Sequence, residues 1–145
     1  MDIAVRRATA DDKARLDDLG NEAIAEQAAG RGGSIWSRRE ALREPEGASA
    51  WFVGTIDGYV MGYAAVGVET LADGARLGVV SAIYVEPDAR GVAVGEAMLD
   101  EVIAWCRDQG CVGIDAHALP GNRDTKNFFE TFGFTARLLV VHRSL

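Results

Sequence analysis

Positive charge, cysteine and long apolar runs are all scarce in this chain, and each shortage removes a class of function. Lys and Arg number 15 against 22 Asp and Glu, a formal charge of -7, which disfavours non-specific binding to nucleic acid. The only cysteines, Cys106 and Cys111, lack Cys-x-x-Cys spacing and have no cluster of histidines around them. The sequence therefore predicts neither a disulfide framework nor a metal site. No apolar run is long enough to cross a bilayer, and Met1 to Arg7 lacks the apolar stretch of a secretory signal, so the expected location is the cytoplasm, away from membranes. Repeats, low-complexity tracts and interdomain linkers are also missing. The 145 residues, 48% hydrophobic, are long enough to bury a real core and read as one domain spanning 1–145.

What the chain does have is a strand, a turn of small residues and a helix in immediate succession. Leu77, Val79, Ser81, Ile83 and Val85 alternate with Gly78, Val80, Ala82 and Tyr84, the period of two of a strand. Pro87 stops it. After Arg90 and Gly91 the apolar period becomes helical: Val94, Met98, Val102 and Trp105, with Leu99, Ile103 and Cys106 on a neighbouring stripe. The first helical turn thus falls in Arg90-Gly91-Val92-Ala93-Val94-Gly95. A helix N-terminus offers unpaired N–H groups and the positive end of the helix dipole, and so attracts anions. Small residues at 91, 93 and 95 would let phosphate oxygens reach the main chain, and Arg90 adds a cation. Glycines that only permit close packing are the other reading. Neither the Gly-x-x-x-x-Gly-Lys spacing of a nucleoside triphosphate loop nor the Gly-x-Gly-x-x-Gly of a dinucleotide fold is present.

The turn resembles the acetyl-CoA site of the GNAT N-acetyltransferase superfamily, whose signature is Arg/Gln-x-x-Gly-x-Gly/Ala after a strand. Here Ala93 stands at the first glycine. A second segment, Leu119 to Phe134, is similar to that family's Asn-x-x-Ala-x-x-apolar-Tyr-x-x-x-Gly-Phe element. Asn122 matches its asparagine, Thr125 replaces its alanine, and Gly133-Phe134 match its end. Phe129 occupies the place of the tyrosine thought to protonate the departing CoA thiolate, and it has no hydroxyl.

The remaining pattern covers the same family fold from end to end. Ile3 to Arg7 reads as a strand, and Thr9 and Asp12 as a capping pair opening a helix that carries Leu16, Leu19, Ala23 and Ile24 and ends near Gly30. After the Gly30 to Ser34 stretch, a short helix is expected over Trp36 to Arg43, before Pro45. Ala50 to Ile56 and Tyr59 to Val68 read as strands joined by an Asp57-Gly58 hairpin turn. Cys111 to His117 and Phe134 to His142 are expected strands, separated by a helix that Asn122 or Asp124 caps. The resemblance implies an α/β (α+β) fold with a mixed, mostly antiparallel central sheet flanked by helices and a splayed strand pair.

It also implies acetyl-CoA as acyl donor, no metal, and direct acetyl transfer to a primary amine. The backbone of Ile83, Tyr84 and Val85 would hold pantetheine and the acetyl carbonyl. Amides from Gly91 through Val92, Ala93 and Val94 to Gly95 would hold the pyrophosphate. Asn122, Lys126 and Phe129 complete the cofactor set, with a plain helix cap for Asn122 and a solvated helix face for Lys126 as the alternatives. Glu86 and His117 are the candidates to take the amine's proton, beside transfer through water; Asp115 shares a strand face with His117. Arg31, Ser34, Trp36 and Glu69 are candidate acceptor-wall residues. A homodimer is compatible with the pattern. The competing function is a catalytically weak or inactive acyl-CoA-binding regulatory module, kept open by Phe129 and Ala93.

Overall fold

The computed structural model describes residues 1–40, 47 and 49–145. Five strands form one sheet in sequence order: β1 (Ile3–Arg7), β2 (Ser49–Ile56), β3 (Tyr59–Thr70), β4 (Arg76–Val85) and β5 (Cys111–Ala116). The first four are antiparallel, and β5 runs parallel to β4. The helices are α1 (Lys13–Ala28), α2 (Gly33–Arg39), α3 (Val94–Asp108) and α4 (Arg123–Thr131). The expected second helix begins three residues earlier than the sequence suggested. Its expected end at 41–43 and Pro45 lie outside the described residues.

Each expected junction has a visible cause. The Thr9 amide donates to the Asp12 carboxylate at 2.8 Å, and the Arg6 guanidinium donates to the same carboxylate at 2.7 and 2.9 Å. Those donors, Arg6 first, hold the Asp12 carboxyl well below the usual carboxylate range. The link therefore contributes stability above the unfolded carboxylate value and loses it progressively as pH falls below that value. Asp57 and Gly58 both have positive φ, 49° and 86°, as a tight hairpin turn requires.

Two apolar clusters lie on opposite faces of the sheet. On one face Leu19 and Ala23 of α1 pack against Tyr63 and Tyr84. On the other, α3 buries Val94, Met98, Leu99, Val102 and Cys106 against Phe52, Ala64, Val66 and Val80. Burying each such side chain contributes roughly 1.5–3 kcal/mol. The approach of α3 is unusually close because glycine stands beneath it. A Cβ on Gly54 would lie 2.6 Å from Val94 Cγ1, and one on Gly78 would lie 2.6 Å from Cys106 Sγ.

The alternation expected along β4 breaks at Ser81. Val66 pairs with Val80 and Ala65 with Ala82, so Ser81 is an extra residue, a bulge whose hydroxyl donates to the Ala65 carbonyl at 3.3 Å. The phase therefore inverts. Val80 shares the α3 face with Ile83 and Val85, whereas Ala82 and Tyr84 face α1. Bulges bend the strand that carries them, and here the bend falls where β4 leaves β5.

The last expected strand, Phe134 to His142, is not formed. Phe134 packs on Phe129, with ring centroids 5.2 Å apart, and Arg137 donates to Asp115, but residues 134–145 join no ladder. The physical reason is the run Leu138-Leu139-Val140-Val141. It is apolar on both faces, a pattern suited to a strand covered on both sides, and the outer edge of β5 offers cover on one.

Gly78→Ala should lose about 1–3 kcal/mol in urea unfolding through overpacking. In a Cys106→Ala background, which removes the sulfur, the same substitution should cost clearly less than its cost in the parent, a coupling that a double-mutant cycle reads directly.

Candidate functional site

The parallel pair β4/β5 sets the site. Its ladder ends at Val80 opposite Ala116, yet β4 runs on through Ser81 to Val85 while still bonded to β3 on its other side. Among the described residues, the β5-facing edge of Ser81 to Val85 has no strand partner. This is the splay expected from the sequence, and the Ser81 bulge marks where it begins. Ile83, Tyr84 and Val85 all lie in the unpaired half.

Just beyond it, the chain turns through Pro87 to Ala89 and enters α3. Gly91 has φ 84° and Ala93, the residue before the helix, has φ 70° and ψ 15°. The left-handed region costs an alanine roughly 1–2 kcal/mol. The turn thus tolerates strain at the position where the family's signature carries glycine. Among the described residues, the amides of Gly91 through Glu96 find no protein acceptor, which leaves a cluster of donors at the positive end of a 15-residue helix. The two glycines serve different ends. A Cβ at Gly91 would meet open space, so its positive φ explains the residue. A Cβ at Gly95 would lie 3.4 Å from the Phe128 ring, so the packing of α4 explains it.

Arg90 is engaged by partners that the sequence did not show. Its Nε donates to the Val85 carbonyl at 2.8 Å, its Nη2 donates to Glu26 on α1 at 2.8 Å, and its guanidinium lies over the Tyr84 ring, 5.3 Å from the centroid. Arg90 thus straps α1 to the end of β4. Tyr84 is 8% exposed. Burial, followed by the carboxylates of Glu26 and Glu22, raises its pKa and keeps the hydroxyl protonated at neutral pH.

The proton-accepting candidates are placed unequally. Glu86 is taken up by an ion pair with Arg15 of α1, Nη2 to Oε2 at 2.9 Å, and Arg15 Nε also donates to the Val60 carbonyl at 3.0 Å. His117 is exposed at the mouth of the splay, one residue past the last paired residue of β5. Asp115 is held by Arg137, whose guanidinium depresses its pKa with His117 contributing less. Asn122 is a helix cap, its Oδ1 accepting from the Thr125 amide at 3.2 Å. Lys126 pairs with Glu130 at 3.3 Å on the solvated face of α4. Phe129 is buried, with Phe128 and Phe134 centroids 5.4 and 5.2 Å away.

Between the end of α1 and the β5–α4 connection lies a cleft of about 240 Å³ lined by Glu26, Gln27, Arg31, Leu119 and Asn122. Of the expected acceptor-wall residues, Arg31 lines this cleft; Glu69 pairs with Leu77 at the opposite end of β4. Sequence reasoning missed Arg15, Glu22 and Glu26. A signal was present: residues 15 and 26 are eleven apart, three turns of helix, and therefore share the face of Leu19 and Ala23. The two free thiols stay outside the site, and burial pushes Cys106 up to about 12. Among the described residues there is no metal-binding group of acidic, His and Cys side chains, and no helix long and apolar enough to cross a membrane.

The fold that carries this diverging strand and donor-rich helix start has known relatives. The family model described as Acetyltransferase (GNAT) family matches residues 19–134, so the chain belongs to the GNAT acetyltransferase family. Comparison with curated proteins gives no significant sequence match. Among solved structures, the glucosamine-6-phosphate N-acetyltransferase of Arabidopsis thaliana superposes with a TM-score of 0.72 at 16% identity, covering 99% of each chain. The ribosomal-protein-alanine N-acetyltransferase of Brucella melitensis biovar Abortus 2308 gives 0.72 at 18% identity, again over 99% of each. AAC(6')-Iy in complex with the bisubstrate analogue CoA-S-monomethyl-acetylneamine gives 0.74 at 15% identity, over 100% of this chain and 99% of that one. At such identities the likeness is one of fold.

Replacing Ala93 by glycine removes the left-handed penalty. Relief of roughly 1–2 kcal/mol of strain, less the entropy that glycine adds to the unfolded chain, should give a net gain of about 1 kcal/mol in chemical denaturation and leave acetyl-CoA affinity equal or tighter. Glutamate and glutamine at Gly91 share the same backbone strain and differ in charge. Calorimetry should show Gly91→Glu binding acetyl-CoA at least about fivefold more weakly than Gly91→Gln, the effect of roughly 1 kcal/mol at a helix start.

Proposed function

We propose that this chain is an acetyl-CoA-dependent N-acetyltransferase that moves the acetyl group directly to a primary amine. The observation that carries the reading is the coincidence of two sets of unpaired backbone groups: the β5-facing edge of Ser81 to Val85 and the amides of Gly91 to Glu96. A long, thin, diphosphate-bearing thioester satisfies both at once. In this reading the edge of Ile83, Tyr84 and Val85 aligns the pantetheine and polarises the acetyl carbonyl. The turn holds the diphosphate, and Asn122 shapes the wall opposite. The acceptor enters by the cleft at Glu26 and Arg31.

His117 is the better-placed base, because its imidazole is exposed at the splay while the Glu86 carboxylate is engaged by Arg15. Phe129 supplies no proton to the leaving thiolate. Free thiols of this kind have pKa values around 8–9, so the sulfur departs without help from that position. The same burial of Phe129 favours a second reading, a module that binds acyl-CoA without turning it over.

Thermal unfolding separates the reading from its rivals. Acetyl-CoA at a hundredfold excess over its Kd should stabilise the chain by about 2.7 kcal/mol, whereas ATP should give a much smaller shift. Release of CoA thiol across a panel of amines then distinguishes enzyme from binding module. Substitution of His117 by Gln should lower turnover by ~10² or more with acetyl-CoA binding unchanged. Equal shifts with acetyl-CoA and ATP would remove the reading.

A further inference from the structure

The cleft between the end of α1 and the β5–α4 connection has a charge balance opposite to that of the chain as a whole. Over the full sequence acidic residues outnumber basic ones, and the formal charge is -7. In the cleft the charged side chains are Glu26 and Arg31. Glu26 is already neutralised, because its carboxylate accepts from Arg90 at 2.8 Å. Arg31 is exposed and forms no ion pair among the described residues. The unbalanced charge of the cleft is therefore positive.

Neutral groups around Arg31 add donors. Asn122 spends its Oδ1 on the Thr125 amide, which leaves its side-chain N–H groups to donate elsewhere. A Cβ at neighbouring Gly121 would meet open space, so the main chain there can be approached closely. Arg31 and Asn122 stand on opposite walls, at the α1–α2 turn and at the start of α4. Leu119 bridges those walls, its Cδ2 3.9 Å from where a Cβ on Gly32 would lie. The cleft also adjoins the unpaired edge of β4, since Glu26 at its rim is linked through Arg90 to the Val85 carbonyl. Its volume of about 240 Å³ is below the ~300–1,000 Å³ of pockets for drug-sized ligands and suits a small molecule.

We propose that the acceptor is a small amine that also carries an anionic group, carboxylate or phosphate-like, and that Arg31 and Asn122 receive that anion while the amine lies at the Ile83-to-Val85 edge. The inference rests on the acetyltransferase reading above and specifies its acceptor. A guanidinium binds carboxylate or phosphate oxygens through two parallel N–H bonds, so Arg31 fixes the acceptor's orientation as well as its affinity. A second ammonium on the acceptor would meet the Arg31 charge in a cleft whose carboxylate is already engaged.

Propylamine, butylamine and pentylamine are each compared with the same amine whose terminal methyl is replaced by carboxylate, phosphonate or ammonium. Release of CoA thiol from acetyl-CoA should show kcat/KM at least about tenfold higher for an anionic amine than for its methyl parent, with the ammonium members slowest. Whichever of carboxylate and phosphonate leads identifies the anion. Arg31→Gln should bring that ratio close to one through KM, with kcat little changed, and Arg31→Lys should restore part of it; a merely structural role would slow all amines alike. Calorimetry of the CoA-bound chain with the anionic amines reads the cleft whether or not transfer occurs. Binding that Arg31→Gln abolishes, with no thiol released from any amine, would overturn the enzyme reading and leave the anion site in place. Four results would overturn the proposal: no binding of any anionic amine, equal rates for anionic and methyl members, a preference for ammonium, or a loss of acetyl-CoA affinity in Arg31→Gln, which would assign the arginine to the donor.

Discussion

The seating of α3 on a sheet with glycine beneath it is the constraint on which the rest of the structure depends. Gly54 and Gly78 leave no Cβ where Val94 and Cys106 press closest, and Met98 fills the space beside Gly62. The helix can therefore lie low across the sheet with Val94, Met98, Leu99 and Val102 at or near zero exposure. Anchoring Val94 so firmly fixes the helix start, because the turn of Gly91 to Ala93 must connect a rigid strand end to a rigid helix end within a few residues. The left-handed Ala93 follows from that demand: a well-packed core imposes a strained conformation on a residue ill suited to it. What results is a set of amides whose position is determined by packing rather than by their own hydrogen bonds.

The opposite face is held by charge. Arg15 ties α1 to Glu86 and to the Val60 carbonyl, and Arg90 ties α1 to the Val85 carbonyl through Glu26. Both ends of the Val85-to-Arg90 turn are thereby fastened to one helix, with Tyr84 buried between them. Partly exposed ion pairs contribute little each to stability. Here their consequence is geometric, since they hold the strand end that the Ser81 bulge has bent away from β5. The arginine that sequence logic assigns to a phosphate braces the opening in this structure.

Much of this was legible in the sequence because local patterns carried it. The 3.6-residue stripe of Val94, Met98 and Val102 announced α3, Asp57-Gly58 the hairpin, and Thr9 with Asp12 the entry to α1. The splay was reached by family resemblance, and its cause was not legible. A bulge inserts one residue without any mark in composition, so the regular alternation read through Ser81 assigned Val80 to the face of Tyr84 when it lies on the face of Ile83. The partners of Arg90, Lys126 and Glu86 were hidden for a different reason: an ion pair depends on which elements meet in space, and the sequence does not show which neighbour engages a side chain. The Phe134 to His142 strand was misread because β-propensity says that a segment suits a sheet and not whether one chain offers a place for it.

Backbone amide resonances recorded during titration with acetyl-CoA test the central claim most directly, because the claim concerns specific N–H groups. The largest shifts, with new protection from hydrogen exchange, should fall on Gly91 through Glu96 and on Ile83 through Val85, while the amides of Ile103 to Ile114, along the groove between α3 and β5, should stay in place. Saturable binding whose perturbations centre on that groove, leaving Gly91 to Glu96 unshifted, would contradict it.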